Sequence, residues 1–344
     1  MTTGTLPIDL AAVEQLIADG FISRQKHPSA ELFIYNYTPK AQFERCWTPE
    51  TLACRGLILD AAGNVRARPF PKFFNLEEHD GEVPVEPFEV FDKLDGSLGI
   101  SYRDGAEVRI ATRGSFTSEQ ALRAQAIYDR KYGRLRLDPS RTYLFEIIYP
   151  ENRIVIDYGG MEDLVLLAVI DTETGVELPP PDIGFPVVRR YDGITDIAAL
   201  KALEESNREG FVVRFTQSNL RLKVKFAEYV RLHRLITGVN ERHIWELLRD
   251  GVAVDPLFER VPDEFNQWLR ATIGGLEEQY GAVEALCRSQ FRDLGDRKAT
   301  ALYFAGECDH PAVLFRMLDG KSYNDVIWKM LKPEASRPFR QDEE

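Results

Sequence analysis

Apolar and polar positions change rhythm twice along the chain. Over Ile8–Asp19 apolar residues recur at helical spacing, with Asp9 placed to cap the first turn. From Leu32 to about Phe226 short runs rich in β-branched and aromatic residues dominate. Leu57–Leu59, Glu89–Phe91, Leu98–Tyr102, Val108–Ala111, Tyr143–Tyr149, Val165–Ile170, Phe211–Phe215 and Leu222–Val224 are predicted strands. A helical pattern over Thr117–Tyr132 interrupts them. Leu178–Pro186 carries Pro179, Pro180, Pro181 and Pro186, so it reads as a loop that cannot enter a sheet interior. Beyond Phe226 the helical period returns over Glu228–Thr237, Glu241–Asp250, Asp263–Leu294 and Tyr323–Leu331. The expectation is an α+β body with an antiparallel sheet, followed by an all-helical C-terminal domain. Gly238–Asn240, where a glycine and a capping asparagine meet, sets the expected boundary, giving domains 1–238 and 239–344. No internal repeat or low-complexity tract breaks this plan.

Composition narrows the class. At 44% hydrophobic and 28% charged, 344 residues suit an ordinary globular protein of one or two domains. Met1–Leu10 lacks a basic stretch followed by an apolar core, and the apolar run near Leu164–Ile170 is far too short to cross a bilayer. Cys46, Cys54, Cys287 and Cys308 form no CxxC pair, so a reduced, cytoplasmic chain without structural zinc is expected, with a monomer as the default. A net charge of −12 argues against indiscriminate binding of nucleic acid, yet it leaves room for a local basic groove. Arg208–Arg234 is such a stretch, with Arg208, Arg214, Arg221, Lys223, Lys225, Arg231 and Arg234 against Glu209 and Glu228. Within it, the alternation of Arg214 with Val213 predicts a side chain facing solvent.

Chemistry concentrates where charge interrupts apolar strands. Phe91-Asp92-Lys93-Leu94-Asp95-Gly96-Ser97 places a lysine at the end of a strand and a glycine in the turn after it. A lysine amine is a poor nucleophile unless burial or nearby cations lower its pKa. Downstream, Glu146 lies inside Leu144–Ile148 and Glu209 stands at the mouth of Gly210–Val213. A carboxylate in an apolar strand requires a cation, a metal or a ligand hydroxyl. Lys223 and Lys225 then share one face of a strand by period-two alternation. One nucleophilic lysine, two carboxylates and two paired lysines suit nucleotidyl transfer, in which cations neutralise a triphosphate and carboxylates hold a metal or sugar hydroxyls.

The order Lys93-Leu94-Asp95-Gly96, Phe145-Glu146, Glu209-Gly210-Phe211-Val212 and Leu222-Lys223-Val224-Lys225 resembles the covalent nucleotidyltransferase superfamily of polynucleotide ligases and capping enzymes. Cys54-Arg55-Gly56-Leu57, Pro71–Leu76, Arg113-Gly114-Ser115, Glu151–Val155 and Glu228–His233 narrow the likeness to the T-even phage RNA ligase branch, that of tRNA-repair enzymes. The resemblance covers about Leu32–His233 and fades beyond. It implies an ATP-grasp-like ligase body in which Lys93 carries AMP taken from ATP, with Mg²⁺ or Mn²⁺, and an RNA partner bearing 5′-phosphate and 3′-hydroxyl ends. It further implies that Glu146 contacts the ribose, that Glu209 helps bind the metal, and that Arg55, Lys72, Lys223 and Lys225 lie near phosphates. Tyr37 is the implied adenosine contact, with Tyr35 as competitor, and Asp255 takes the place of a metal-associated acid. Where the phage enzymes have a lysine, this chain has Arg113, and a planar guanidinium is not equivalent to an ammonium. The C-terminal domain is the implied RNA-selecting module.

Three rival readings remain open on sequence alone: a GTP-dependent capping guanylyltransferase, a DNA ligase, and an inactive RNA-binding relative. His233 with His243, and Cys308-Asp309-His310, lack a complete ligand set and read as ordinary structural positions. Trp245, Phe265, Trp268, Tyr280 and Trp328 read as core rather than as base-stacking platforms.

Overall fold

The computed structural model describes residues 8–259, 261, 263–334 and 338–339, so most of the Met1–Leu10 reading lies outside the described residues. Its strands are β1 (Ile22–Lys26), β2 (Leu32–Tyr37), β3 (Arg55–Asp60), β4 (Val65–Ala67), β5 (Phe74–Asn75), β6 (Phe88–Lys93) and β7 (Ser97–Asp104). They continue with β8 (Glu107–Ala111), β9 (Arg141–Ile148), β10 (Asp163–Asp171), β11 (Glu177–Leu178), β12 (Arg190–Tyr191), β13 (Gly210–Phe215) and β14 (Arg221–Lys225). The helices are α1 (Leu10–Ala18), α2 (Pro39–Phe43), α3 (Pro49–Ala53), α4 (Glu119–Lys131), α5 (Ile197–Lys201) and α6 (Ala227–Gly238). After them come α7 (Glu241–Asp250), α8 (Asp263–Gln290), α9 (Arg297–Glu307), α10 (Pro311–Leu318) and α11 (Asn324–Met330). Two compact units result, Met1–Val230 and Arg231–Glu344.

In the first unit the strands form three sheets, ordered β1-β2-β3-β4, β11-β10-β9-β7-β8 and β12-β6-β13-β14-β5. Pairing is antiparallel throughout these sheets except between β14 and β5, which run parallel. Alternation along β9 explains the layering. Tyr143, Phe145 and Ile147 pack with Ala124, Ile127 and Tyr128 of α4, while Leu144 turns to the opposite face and joins Ile34, Ile58 and Ile100. The same period puts Glu146 on the face of Leu144, away from α4. On the first sheet, Tyr35 joins Val13, Ile22, Cys54 and Leu57 beneath α1, whose first turn Asp9 caps by accepting from the Ala11 and Ala12 amides.

The second unit is helical. Asn240 caps α7 by accepting from the His243 amide, and Gly251 ends it in the left-handed conformation. Its core gathers Cys287, Phe304, Val313, Leu314 and Ile327, and Trp245 donates its indole N–H to the Trp328 carbonyl at 2.8 Å. Trp245, Phe265 and Trp328 are buried, and Phe265 stacks on Trp268. No helix among the described residues is long and apolar enough to cross a membrane, and the four cysteines are free thiols.

Several details differ from the sequence expectation. The units divide inside α6, a few residues before Gly238. The Leu178–Pro186 loop starts one residue later than expected, because Glu177–Leu178 pairs with Val169–Ile170 at a sheet edge before the prolines end it. β1 is mostly polar, with Ile22 its sole buried residue, and gave no apolar period. α10 is apolar around most of its circumference, so it offered no helical contrast either.

Candidate active site

Antiparallel register assembles the centre. Gly210 lies opposite Lys93 of β6 on one side and Lys225 of β14 on the other, so both lysines flank the residue before it, Glu209. Lys93 Nζ stands 2.8 Å from Glu209 Oε1 and Lys225 Nζ 3.2 Å from the same oxygen. Glu209 is 1% exposed, and a buried carboxylate is tolerable because two cations converge on it. The close packing requires glycine at 210. Its φ is +146°, and a Cβ there would come within 2.0 Å of the Val224 carbonyl oxygen.

The turn after Lys93 is held from four sides. Gly96 donates its amide to Glu146 Oε1 at 2.9 Å, and a Cβ on Gly96 would meet the Ile147 carbonyl at 2.6 Å. Asp95 is 4% exposed; its Oδ2 accepts the amides of Val155 and Ile156 at 2.9 Å each, and its Oδ1 accepts the Tyr229 hydroxyl at 2.8 Å. The Asp95 amide in turn donates to the Tyr158 hydroxyl at 2.6 Å. Burial pushes the Glu146 carboxyl up to about 8; Lys93 and the Gly96 amide pull it down, while Glu209 and Asp95 raise it further.

A second group of cations gathers on aromatic faces. Arg55 and Lys223 lie over the Phe73 ring, at 5.6 and 5.4 Å from its centroid. Arg113 lies 5.3 Å from the Tyr37 centroid and donates from Nη1 to its hydroxyl at 3.2 Å. Lys72 approaches the same ring at 5.4 Å. Tyr37 is thus the tyrosine beside these cations, whereas Tyr35 belongs to the core under α1.

The expected residues fall into three places. Lys93, Glu146, Glu209 and Lys225 share one centre; Tyr37, Arg55, Lys72, Arg113 and Lys223 line the aromatic–basic group of the same unit. Asp255 belongs to the second unit, exposed at the start of the 3-10 turn Asp255–Phe258. The Arg208–Arg234 stretch divides by role. Arg208 donates to Asp92 Oδ1 and to the Tyr191 hydroxyl, both at 2.6 Å, tying the segment before Glu209 to the residue before Lys93. Arg221 is buried against Glu177, and burial pushes its guanidinium down to about 10. Arg214 corrects the solvent-facing expectation: it is half-buried between Glu89, Glu177 and Asn219, because β6 lies beside β13 and supplies Glu89. Tyr158 and Trp47 gave no sequence signal of their own. Asp95 did, as the acid of the lysine motif, though without a role.

Among the described residues no group of three His, Cys, Asp or Glu side chains is arranged to hold a metal. Glu209 offers hard carboxylate oxygens, which suits an ion that keeps waters and takes its remaining ligands from phosphates.

Comparison with known proteins bears on the same residues. Positions 53–183 match the family model described as RNA ligase. A Thermovibrio ammonificans protein provisionally named an RNA ligase is 29% identical over 246 residues, covering 66% of this chain and 64% of its own length. A protein of Autographa californica nuclear polyhedrosis virus, provisionally named a bifunctional polynucleotide kinase/RNA ligase, is 27% identical; this chain spans 38% of its length. The RNA ligase of Rhodothermus phage RM378 is 24% identical over 81% of this chain and 79% of its own. Among solved structures, an archaeal ATP-dependent RNA ligase superposes with a TM-score of 0.48 at 16% identity, over 92% of this chain and 97% of that one. The chain is therefore similar to the RNA ligase family, and the family match spans the segment that holds Arg55, Lys72, Lys93, Arg113 and Glu146.

Proposed function

We propose that the chain is an ATP-dependent RNA ligase whose Lys93 carries AMP. The observation that carries this reading is the convergence of Lys93 and Lys225 on buried Glu209, beside a Gly96 turn bonded to Glu146. Lys93 Nζ attacks the α-phosphorus of ATP, forming a P–N bond as the bond to pyrophosphate breaks. Glu209 Oε1 is the acceptor within reach of the proton that Lys93 loses. Lys225, on the other side of that carboxylate, supplies positive charge near the α-phosphate, and Lys223, Lys72, Arg55 and Arg113 face the departing pyrophosphate. Next, an oxygen of an RNA 5′-phosphate attacks the same phosphorus and the P–N bond breaks, giving an RNA-adenylate. Finally an RNA 3′-hydroxyl attacks the 5′-phosphate and AMP leaves.

A Mg²⁺ or Mn²⁺ ion, held by Glu209 together with the nucleotide's phosphates, would offset charge on the transferring phosphoryl group. Glu146, protonated below about pH 8, can donate a hydrogen bond to a ribose oxygen, which an ionised carboxylate cannot. The likeness of residues 53–183 to RNA ligases supports RNA as the acceptor, and the T-even phage resemblance supports broken tRNA as its class. In this reading the domain beyond Gly238 selects the RNA.

The test is a chase. Protein labelled with α-labelled ATP should pass its label to RNA with a 5′-phosphate and then release it as AMP when a 3′-hydroxyl end is supplied. Comparing single-stranded, nicked-duplex and cleaved anticodon-loop RNAs identifies the substrate. Label that never leaves the protein, or leaves only to DNA, contradicts the reading.

A further inference from the structure

Lys72 is held differently from the lysines of the catalytic centre. Its Nζ lies 5.4 Å from the ring centre of Tyr37, 5.6 Å from Trp47 and 5.5 Å from Phe74. The rings brace one another, Tyr37 meeting Trp47 edge-on at 5.3 Å and Trp47 meeting Phe74 in the same manner at 5.3 Å. Among the described residues no carboxylate pairs with this half-buried ammonium. Its position is set by local backbone. The Lys72 amide donates to the Leu52 carbonyl of α3 at 2.7 Å, and α3 begins in a capping box at Thr48, next to Trp47.

The chemistry of that surrounding is specific. A carboxylate partner fixes a lysine but cancels its charge, as Glu209 does in part for Lys225. Aromatic faces fix and desolvate a cation while leaving its charge whole. Arg113 lies against the same Tyr37 ring, so two cations share one phenol, and an anion beside Lys72 offsets their mutual repulsion. A polyphosphate is an anion of the required charge and extent.

We propose that Tyr37, Trp47 and Phe74 form an aromatic cage that presents Lys72 as a charged ligand to the polyphosphate of the nucleotide, with Trp47 as a positioning residue. The proposal rests on nucleotide binding by this unit and adds the group that orients one of its phosphate ligands.

Binding of ATP, inorganic tripolyphosphate and adenosine to the full-length chain, measured by calorimetry, tests it. Trp47→Leu keeps an apolar side chain but removes the ring face, and should weaken ATP and tripolyphosphate by about tenfold while leaving adenosine unchanged. Trp47→Phe should restore most of that loss. Lys72→Ala should lose as much as Trp47→Leu, and the double variant no more than either. Equal weakening of adenosine would overturn the cage in favour of a base contact, and unchanged tripolyphosphate binding would overturn it outright. Should Trp47→Leu fold poorly, Phe74→Leu takes its place, since weaker tripolyphosphate binding with adenosine unchanged supports the cage and unchanged tripolyphosphate binding refutes it. A wild-type chain that binds tripolyphosphate through the cage but never forms lysyl-AMP sinks the ligase reading and leaves the cage standing.

Discussion

The two units bury different things. Among the described residues, the sheet-rich unit buries Glu209, Asp95, Arg68 and Arg221 along with its apolar core, whereas Thr300 is the buried polar residue of the helical unit. Burying a charge costs stability unless partners compensate, and every compensating contact then restricts what the sequence can be. For Glu209 and Asp95 that cost falls at the turn and strand ends around Lys93, where perturbed ionisation of Glu146 marks a site of chemistry. The helical unit shows the opposite economy, with apolar packing inside and ion pairs such as Arg316 with Asp325 on the surface.

This contrast can be broken most forcefully at Gly210. Gly210→Ala forces a Cβ onto the Val224 carbonyl at a φ that side chains rarely adopt, and should cost more than about 3 kcal/mol in denaturant unfolding. A cost near that of an ordinary surface substitution would mean that the three strands around Glu209 are not packed as described. An intermediate effect is expected for Glu146. Its carboxyl titrates at about 8 in the folded chain against an ordinary 4.5, so between those values the folded state holds a proton that the unfolded state has lost. Stability therefore falls as pH rises through that window and levels off above it. Glu146→Gln should abolish this fall and leave the variant more stable than wild type above pH 8; an unchanged profile would show that Glu146 is ionised throughout. The smallest effect belongs to the helical unit. Trp245→Phe removes one buried hydrogen bond to the Trp328 carbonyl and should cost about 1 kcal/mol with no change in nucleotide binding.

The same contrast explains what the sequence could disclose. Lys93, Glu146, Glu209, Lys223 and Lys225 were legible because each is a charge set into an apolar strand, and a period of two says which face it shares. Helices α7 and α8 were legible because caps and apolar stripes mark them, as Asn240 does. What stayed hidden depends on distant approach. Trp47 and Phe74 meet around Lys72 only once α3 and β5 are folded beside one another, and nothing in their local sequence announces a cage. Arg208 and Arg214 read as a basic face, yet strand pairing turns them inward onto Asp92 and Glu89. Tyr158 reaches the Asp95 amide from 63 residues away.

The central claim is that Lys93 takes AMP from ATP, and self-labelling decides it. Wild-type chain incubated with a divalent cation and either α-labelled ATP or α-labelled GTP should acquire acid-labile label from ATP alone. Lys93→Ala, with an unchanged unfolding curve, should acquire none. Label retained by Lys93→Ala, or taken from GTP in preference to ATP, would contradict the account.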